Sequence, residues 1–266
     1  MIQRVQWQFV RRNHNETIRR FLKSNANICG STVYQGKLYE NVVLRELSEK
    51  LLMDKLTIVG GPRDGGIDLV GRWDISKIFN IMDKRMSLRQ QYIGNVPARY
   101  TLNGTTFKPI FNTLMEGRKL LPLKVLVQCK AFTSSNISAR EIRELAGVAA
   151  AMASPKDRNR TIFLMCSPQL ITRDGLNLIS SVNLPMIYAR VSLLKRLSPT
   201  TYDLTNTGCL VSCFENEYAA RLLWGCGVRE FLQLAPHTNL GTGEVSSQVG
   251  KEKGGRRNAM RKIDDL

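Results

Sequence analysis

The chain has 266 residues, 43% of them apolar, which suffices for a sizeable core and excludes a wholly disordered polypeptide. No apolar run approaches the ~18 residues that a membrane-spanning helix needs. Thirty-nine Lys and Arg against 22 Asp and Glu leave a net charge of +17, with a pI near 10.0. That surplus points to a polyanionic partner or a compartment rich in anionic surfaces.

Six cysteines are too sparse for a secreted disulfide scaffold. Cys209 and Cys213, with Cys226 further on, lack the second close pair or the histidine of a structural zinc site, so free thiols are expected. The two histidines, His14 and His237, lie near the chain's edges, which argues against His-based general-base chemistry and Ser-His-Asp triads. Carboxylates and lysines must carry any catalysis.

In chain order, residues 1–25 come first. Arg4, Arg11, Arg12, Arg19, Arg20 and Lys23 stand against a single acid, Glu16, and Ile2, Val5, Phe9 and Val10 mix with them at near-helical spacing. This is the make-up of a mitochondrial targeting segment; a basic first helix docked on the fold is the alternative. Residues 37–53 predict an amphipathic helix with Leu38, Val42, Leu47 and Leu51 on one stripe. Strands are expected over Leu56–Val59 and Ile67–Arg72, separated by a glycine-rich loop from Gly60 to Gly66.

Residues 73–122 read as an irregular, basic insertion, with a short helix at Ile75–Ile81 and a hairpin around Asn103-Gly104. Lys124–Cys129 predicts a strand buried on both faces. Ser138–Ala153 predicts a helix with Glu141 at capping-box spacing from Ser138. Arg160–Cys166, Arg173–Val182 and Pro185–Arg190 predict strand, helix and strand. Short strands and a helix around Glu215–Trp224 follow, and residues 237–266 have the composition of a disordered basic tail. The order implies an α/β domain over residues 30–236, with a mixed central sheet flanked by helices and an insertion after the second strand.

Three pieces carry the chemistry: Glu40 on the first helix of the domain, Asp68 after Gly65-Gly66-Ile67, and Gln128-Cys129-Lys130 at the end of an apolar strand. Strand alternation puts Gln128 and Lys130 on one face and Cys129 on the other. A lysine closing an apolar strand calls for a carboxylate or phosphate partner; Asp68 is the expected neighbour. Asp64, in the same loop, and Asp74 are secondary acidic choices.

This pattern resembles the Mrr-type branch of the PD-(D/E)XK nuclease superfamily, whose signature is a helix acid, a Gly-Gly-x-x-Asp-x-Gly-Ile-Asp segment and a Gln-x-Lys. Glu40, Gly60 to Asp68, and Gln128 to Lys130 stand in those places. The segment Arg140–Gly147 and the strand ending in Cys166-Ser167 extend the match. Over nearly the whole chain the sequence is also similar to a fungal mitochondrial family named for its requirement in respiratory growth. YENVVLRELSEKL, DGGIDL, PLKVLVQCKAF and IFLMCSPQLIT carry that resemblance.

The resemblance implies a restriction-endonuclease-like fold and a Mg²⁺-dependent phosphodiesterase site. Asp68 would be the direct ligand, the Cys129 main-chain carbonyl a second, and Glu40 a third, directly or through a water. Lys130 would orient the attacking water, and Gln128 stands where most of the superfamily has an acid. A cation so held stabilises phosphoryl charge and activates water. Nucleic acid is the implied partner. Lys84, Arg85, Arg89, Arg99, Lys108, Arg118 and Lys119 of the insertion, with six cations between Lys251 and Lys262, are candidates for contacting phosphate. A non-catalytic nucleic-acid-binding or assembly role on a retired nuclease fold is the alternative. Peripheral attachment to an anionic membrane is a third reading.

Overall fold

The computed structural model describes residues 14–59, 65–118, 120–154, 157–198 and 201–234. Its centre is a six-stranded sheet in the order β1-β2-β5-β6-β7-β10. β1 (Met53–Ile58), β2 (Leu69–Trp73) and β5 (Leu123–Cys129) pair antiparallel. β5, β6 (Thr161–Ser167) and β7 (Met186–Val191) run parallel, and β10 (Leu210–Glu215) closes the far edge antiparallel to β7. The expected mixed α/β sheet is therefore present. Two strand pairs, β3 (Tyr100–Leu102) with β4 (Thr105–Phe107) and β8 (Lys195–Arg196) with β9 (Tyr202–Asp203), stand apart from it.

Two apolar clusters sandwich the sheet. One face gathers Val125 and Val127 of β5 against α2 (Thr32–Lys50), α3 (Ile75–Met86), α8 (Glu217–Leu222) and α9 (Val228–Leu234). The opposite face gathers Leu126, Phe163 and Met165 against α6 (Ala139–Met152) and α7 (Arg173–Ser181). β6 is buried along its whole length, as a parallel strand covered on both faces must be.

Local chemistry explains the helix starts. The Ser31 side chain accepts from the Tyr34 N–H, so α2 begins at Thr32 rather than at residue 37. Gly36 lies inside the helix; the burial of Tyr34, Leu38, Tyr39, Val42 and Leu47 outweighs its poor helix propensity. Ser138 and Glu141 form the full capping box that their spacing predicts.

The segment 73–122 is not irregular. It forms α3, α4 (Leu88–Tyr92), the hairpin β3 (Tyr100–Leu102) and β4 (Thr105–Phe107), and α5 (Ile110–Met115). Asn103 and Gly104 turn the hairpin with positive φ, as the dipeptide predicts. Ile75, Ile78, Phe79, Met82 and Phe111 are buried in the main core, and the Phe107 ring stacks on Tyr218 of α8 at 4.4 Å. The many Lys, Arg and Asn residues of this segment mask an amphipathic pattern that the core completes. Asp74, one of the secondary acidic choices, caps α3 by accepting from Ser76 N–H and Oγ.

Residues 14–24, which composition assigned to the targeting segment, form a helix (α1) that belongs to the fold. Ile18 is 1% exposed and packs in the core. Residues 1–13, and the tail from residue 235, lie outside the described residues. Beside α1, Arg45 of α2 is fully buried. Its guanidinium donates to Asn15 Oδ1, to the carbonyls of Leu204, Thr207 and Gly208, and to Glu46 Oε1 at 3.0 Å. Glu46 in turn accepts from the Leu210 N–H at the start of β10. None of the six cysteines forms a disulfide. Among the described residues, no helix is long and apolar enough to cross a membrane.

Two outcomes follow from this packing. Arg45→Leu leaves Glu46 as a buried charge without its cation and is expected to cost about 3–5 kcal/mol in urea unfolding; adding Glu46→Gln should recover part of the loss. Processing on import is also expected to spare Asn15 and Ile18, which meet Arg45 and the core; N-terminal sequencing of the organellar protein checks this.

Candidate nuclease-like site at the end of β5

Asp68 precedes β2, where the sheet ladder runs out. Its N–H donates to the Val127 carbonyl, its carbonyl accepts from Val59 N–H, and its Oδ2 accepts from the Cys129 N–H at 2.6 Å. The side chain thus extends the β2–β5 ladder by one rung and pins a carboxylate beside the end of β5. The turn that delivers it is Gly65-Gly66, with φ of +63° and +82°. Residues 60–64, including Asp64, lie outside the described residues.

Strand alternation works as the sequence predicts. Gln128 and Lys130 share the α6 face; Cys129 faces α2 and packs against that side's core. Glu40 approaches from α2, 6% exposed, and accepts from Lys37 Nζ at 2.9 Å. Burial pushes the Cys129 thiol pKa up most, and the neighbouring Cys166, then Asp68 and then Glu40, add to it. Both thiols are pushed well above their ordinary value and stay protonated near neutral pH. The acids therefore converge on β5 from two directions, Asp68 in the plane of the sheet and Glu40 from the α2 side.

The carboxylate that meets Lys130 is one that the sequence reading missed. Glu144, one turn beyond the capping box of α6, accepts from Lys130 Nζ at 3.1 Å through each of its oxygens. Its Oε1 also accepts from Gln128 Nε2 at 3.1 Å. A carboxylate only accepts, so this contact fixes which end of the Gln128 amide faces α6. Gln128 is 2% exposed, and among the described residues its Oε1 has no hydrogen-bond partner. The signal was present in the segment Arg140–Gly147. The capping box sets the helix phase, Ile142 and Leu145 are buried against the sheet, and Glu144 stands beside Leu145 at the rim.

Cations of the insertion are partly committed elsewhere. Arg89 pairs with Asp83, and Lys108 and Arg118 pair with Glu116. Lys108 holds the Glu116 carboxyl below its ordinary pKa. Lys119 and the basic residues from 251 onward lie outside the described residues.

The family profile described as "Required for respiratory growth protein 7" matches residues 31–223, a span that includes every site residue named above. The chain belongs to that family. A Zygosaccharomyces rouxii member is 44% identical over 236 residues, covering 88% of this chain and 94% of its own length. A Vanderwaltozyma polyspora member is 45% identical over 230 residues, covering 85% and 90%. A Saccharomyces cerevisiae member is 42% identical over 226 residues, covering 85% and 93%. All three are named as mitochondrial proteins required for respiratory growth, and the mitochondrial location and respiratory role expected from the sequence agree with them. Among solved structures, the DNA modification-dependent restriction endonuclease AspBHI pairs with this family member at a TM-score of 0.32 and 9% identity. It covers 82% of this chain and 36% of its own. The activity in that title belongs to that enzyme.

Gly66 is the tightest point of the site. A Cβ there would lie 3.1 Å from Gln128 Nε2, at a φ that L residues avoid. Gly66→Ala is expected to lower stability by about 1–2 kcal/mol, read by thermal unfolding, and to disturb the Gln128–Glu144 contact.

Proposed function

We propose that this respiratory-growth family member is a Mg²⁺-dependent, endonuclease-like protein that acts on nucleic acid in the mitochondrion. The observation that carries the reading is the clamp of the Asp68 carboxylate on the Cys129 N–H, between Gln128 and Lys130. That contact supports a site in which an acid, a glutamine and a lysine share one strand end, with the buried Glu40 on the α2 side.

The donor set suits a hard cation. Asp68 and Glu40 offer carboxylates, and Gln128 Oε1 is a buried acceptor without a partner among the described residues. Among the described residues, no group of three His, Cys, Asp or Glu gathers around one point. Mg²⁺ does not require such a group; it is commonly held by one or two carboxylates and completed by waters and substrate phosphate. Asp68 would hold it directly, Glu40 through a water, and the Cys129 carbonyl remains a candidate third ligand. Bound there, the ion would supply charge stabilisation and an activated water. This chain's own contributions are to fix Asp68 through the backbone, to present an uncharged oxygen at Gln128, and to keep an ammonium at Lys130.

One observation favours the second reading, a nuclease fold that binds nucleic acid without cleaving it. Both oxygens of Glu144 engage Lys130, the group that a phosphate or attacking water would need. The two readings separate in one experiment. Purified protein with Mg²⁺ or Mn²⁺ is assayed on labelled DNA and RNA, beside Asp68→Ala. Catalysis predicts cleavage that falls more than about 100-fold in the variant. The binding role predicts no cleavage, and an affinity that Asp68→Ala leaves unchanged. With about six phosphates neutralised, log K would fall against log salt with a slope near −5.

A further inference from the structure

We infer that the starts of α6 and α7, with the end of β7, form the surface that receives the phosphate backbone of a nucleic acid. Its cations are Arg140, Arg143, Arg173 and Arg190, grouped beside Lys130. The inference rests on the nucleic-acid part of the reading above and requires neither a metal nor cleavage.

The sheet assembles this surface. Lys130 N–H donates to the Cys166 carbonyl at 2.8 Å, and Ser167 is in register with Arg190. Parallel pairing keeps side chains in step, so Lys130, Ser167 and Arg190 follow one another across the α6–α7 face of the strand ends. Arg190 Nε donates to the Pro168 carbonyl at 3.1 Å, which holds the guanidinium at the rim. The two helices begin side by side here. Thr172 N–H donates to the Ile137 carbonyl at 2.7 Å, and a Cβ on Gly175 would meet that carbonyl at 3.1 Å, so glycine allows the approach. Glu144 touches Lys130, and Arg140 lies one helical turn, about 6 Å, nearer the start of α6.

Charge gives the surface its partner. Arg140, Arg143 and Arg173 are exposed, and among the described residues no carboxylate forms an ion pair with them or with Arg190. Glu141 is occupied by its cap at Ser138. Glu144, paired with Lys130, and Asp174 are exposed as well, and the cations outnumber them. Arg140 and Arg173 also stand in first turns, where the helix dipole disfavours a cation. Arginines kept unpaired against that local cost serve a group from outside, and an anionic backbone meets several of them at once. The insertion, whose cations are the sequence's candidates for contacting phosphate, lies at the other end of the sheet. Trp73 pairs with Leu123 at the start of β5, α3 follows at Ile75, and β4 reaches Asn183 ahead of β7. The seven residues of β5, roughly 20 Å, separate that end from Lys130.

The test measures binding of the full chain to labelled duplex DNA and single-stranded RNA across a salt series, in EDTA so that cleavage plays no part. Arg140→Gln/Arg143→Gln/Arg173→Gln is compared with an insertion variant at exposed cations, Lys84→Gln/Arg85→Gln/Arg99→Gln, and thermal midpoints are recorded for both. The first variant is expected to bind about tenfold or more weakly and to flatten the slope of log K against log salt by about 2–3. Its midpoint should match or exceed wild type, because cations leave the positive ends of two helices. The insertion variant should keep the wild-type slope. An unchanged slope in the first variant, or equal flattening in both, overturns the inference. Should the triple variant melt early, Arg140→Gln and Arg173→Gln decide singly, each flattening the slope by about 0.7–0.9; no flattening in either overturns it. Vesicles of phosphatidylcholine and phosphatidylglycerol are run in parallel. Vesicle binding that the first variant loses, with oligonucleotide binding unchanged, assigns the surface to a membrane and overturns the inference. A wild-type protein that binds no oligonucleotide removes the nucleic-acid reading and this inference with it. Wild-type binding that the triple variant retains in full removes only the inference.

Discussion

The arrangement depends on a charge buried where water cannot reach it. Arg45 is completely enclosed, and its donors are taken up by Asn15, three carbonyls of the 204–208 loop and Glu46. Such a pair adds little net stability over apolar residues of similar size, yet it is unforgiving of partial removal. What it supplies is placement. It fixes α2 against α1 and against the loop entering β10, and Glu46 continues the tie to Leu210. Glu40 stands on the same helix, so the acid that reaches β5 from this face inherits its position from a cluster remote from the site.

The site is assembled from two faces of one strand. β5 pairs antiparallel with β2 and parallel with β6, so it is one of the two strands at which the sheet changes sense. Its last residues therefore see Asp68, just before β2, at one edge, α2 on one side and α6 on the other. Asp68 continues the ladder through its side chain, which makes the position of the carboxylate a property of sheet register and not of a side-chain rotamer alone. Glu144 contributes through helix phase, set by the capping box at Ser138.

What was legible in the sequence follows from how local each signal is. The apolar run Lys124–Cys129, the capping box and the Asn103-Gly104 hairpin are each decided within a few residues, and each appears in the structure. Alternation also placed Gln128 and Lys130 together. Boundaries that depend on tertiary burial were displaced. α2 starts five residues early because its core contacts absorb Gly36, and β1 starts at Met53 because the strand is bent by a bulge with Lys55 at positive φ. The insertion looked irregular because its cations hide an apolar face that only the rest of the core completes. Motif proximity in the sequence points to Asp68 as the partner of Lys130. The observed partner, Glu144, arrives by way of a helix packed across the sheet, a juxtaposition that spacing alone does not encode.

The contacts of Arg45 also bear on how the chain acquires its structure. Its bonds to Leu204, Thr207 and Gly208 span 159, 162 and 163 residues, while the bond to Asn15 spans 30. A polypeptide delivered amino end first, from a ribosome or through a membrane pore, presents α1 and Arg45 long before the loop that satisfies them. Until that loop emerges, the guanidinium stays hydrated and α2 cannot seat. Closure must wait for more than three-quarters of the chain, a high-contact-order step of the kind that folds slowly and leaves apolar helices exposed to chaperones meanwhile.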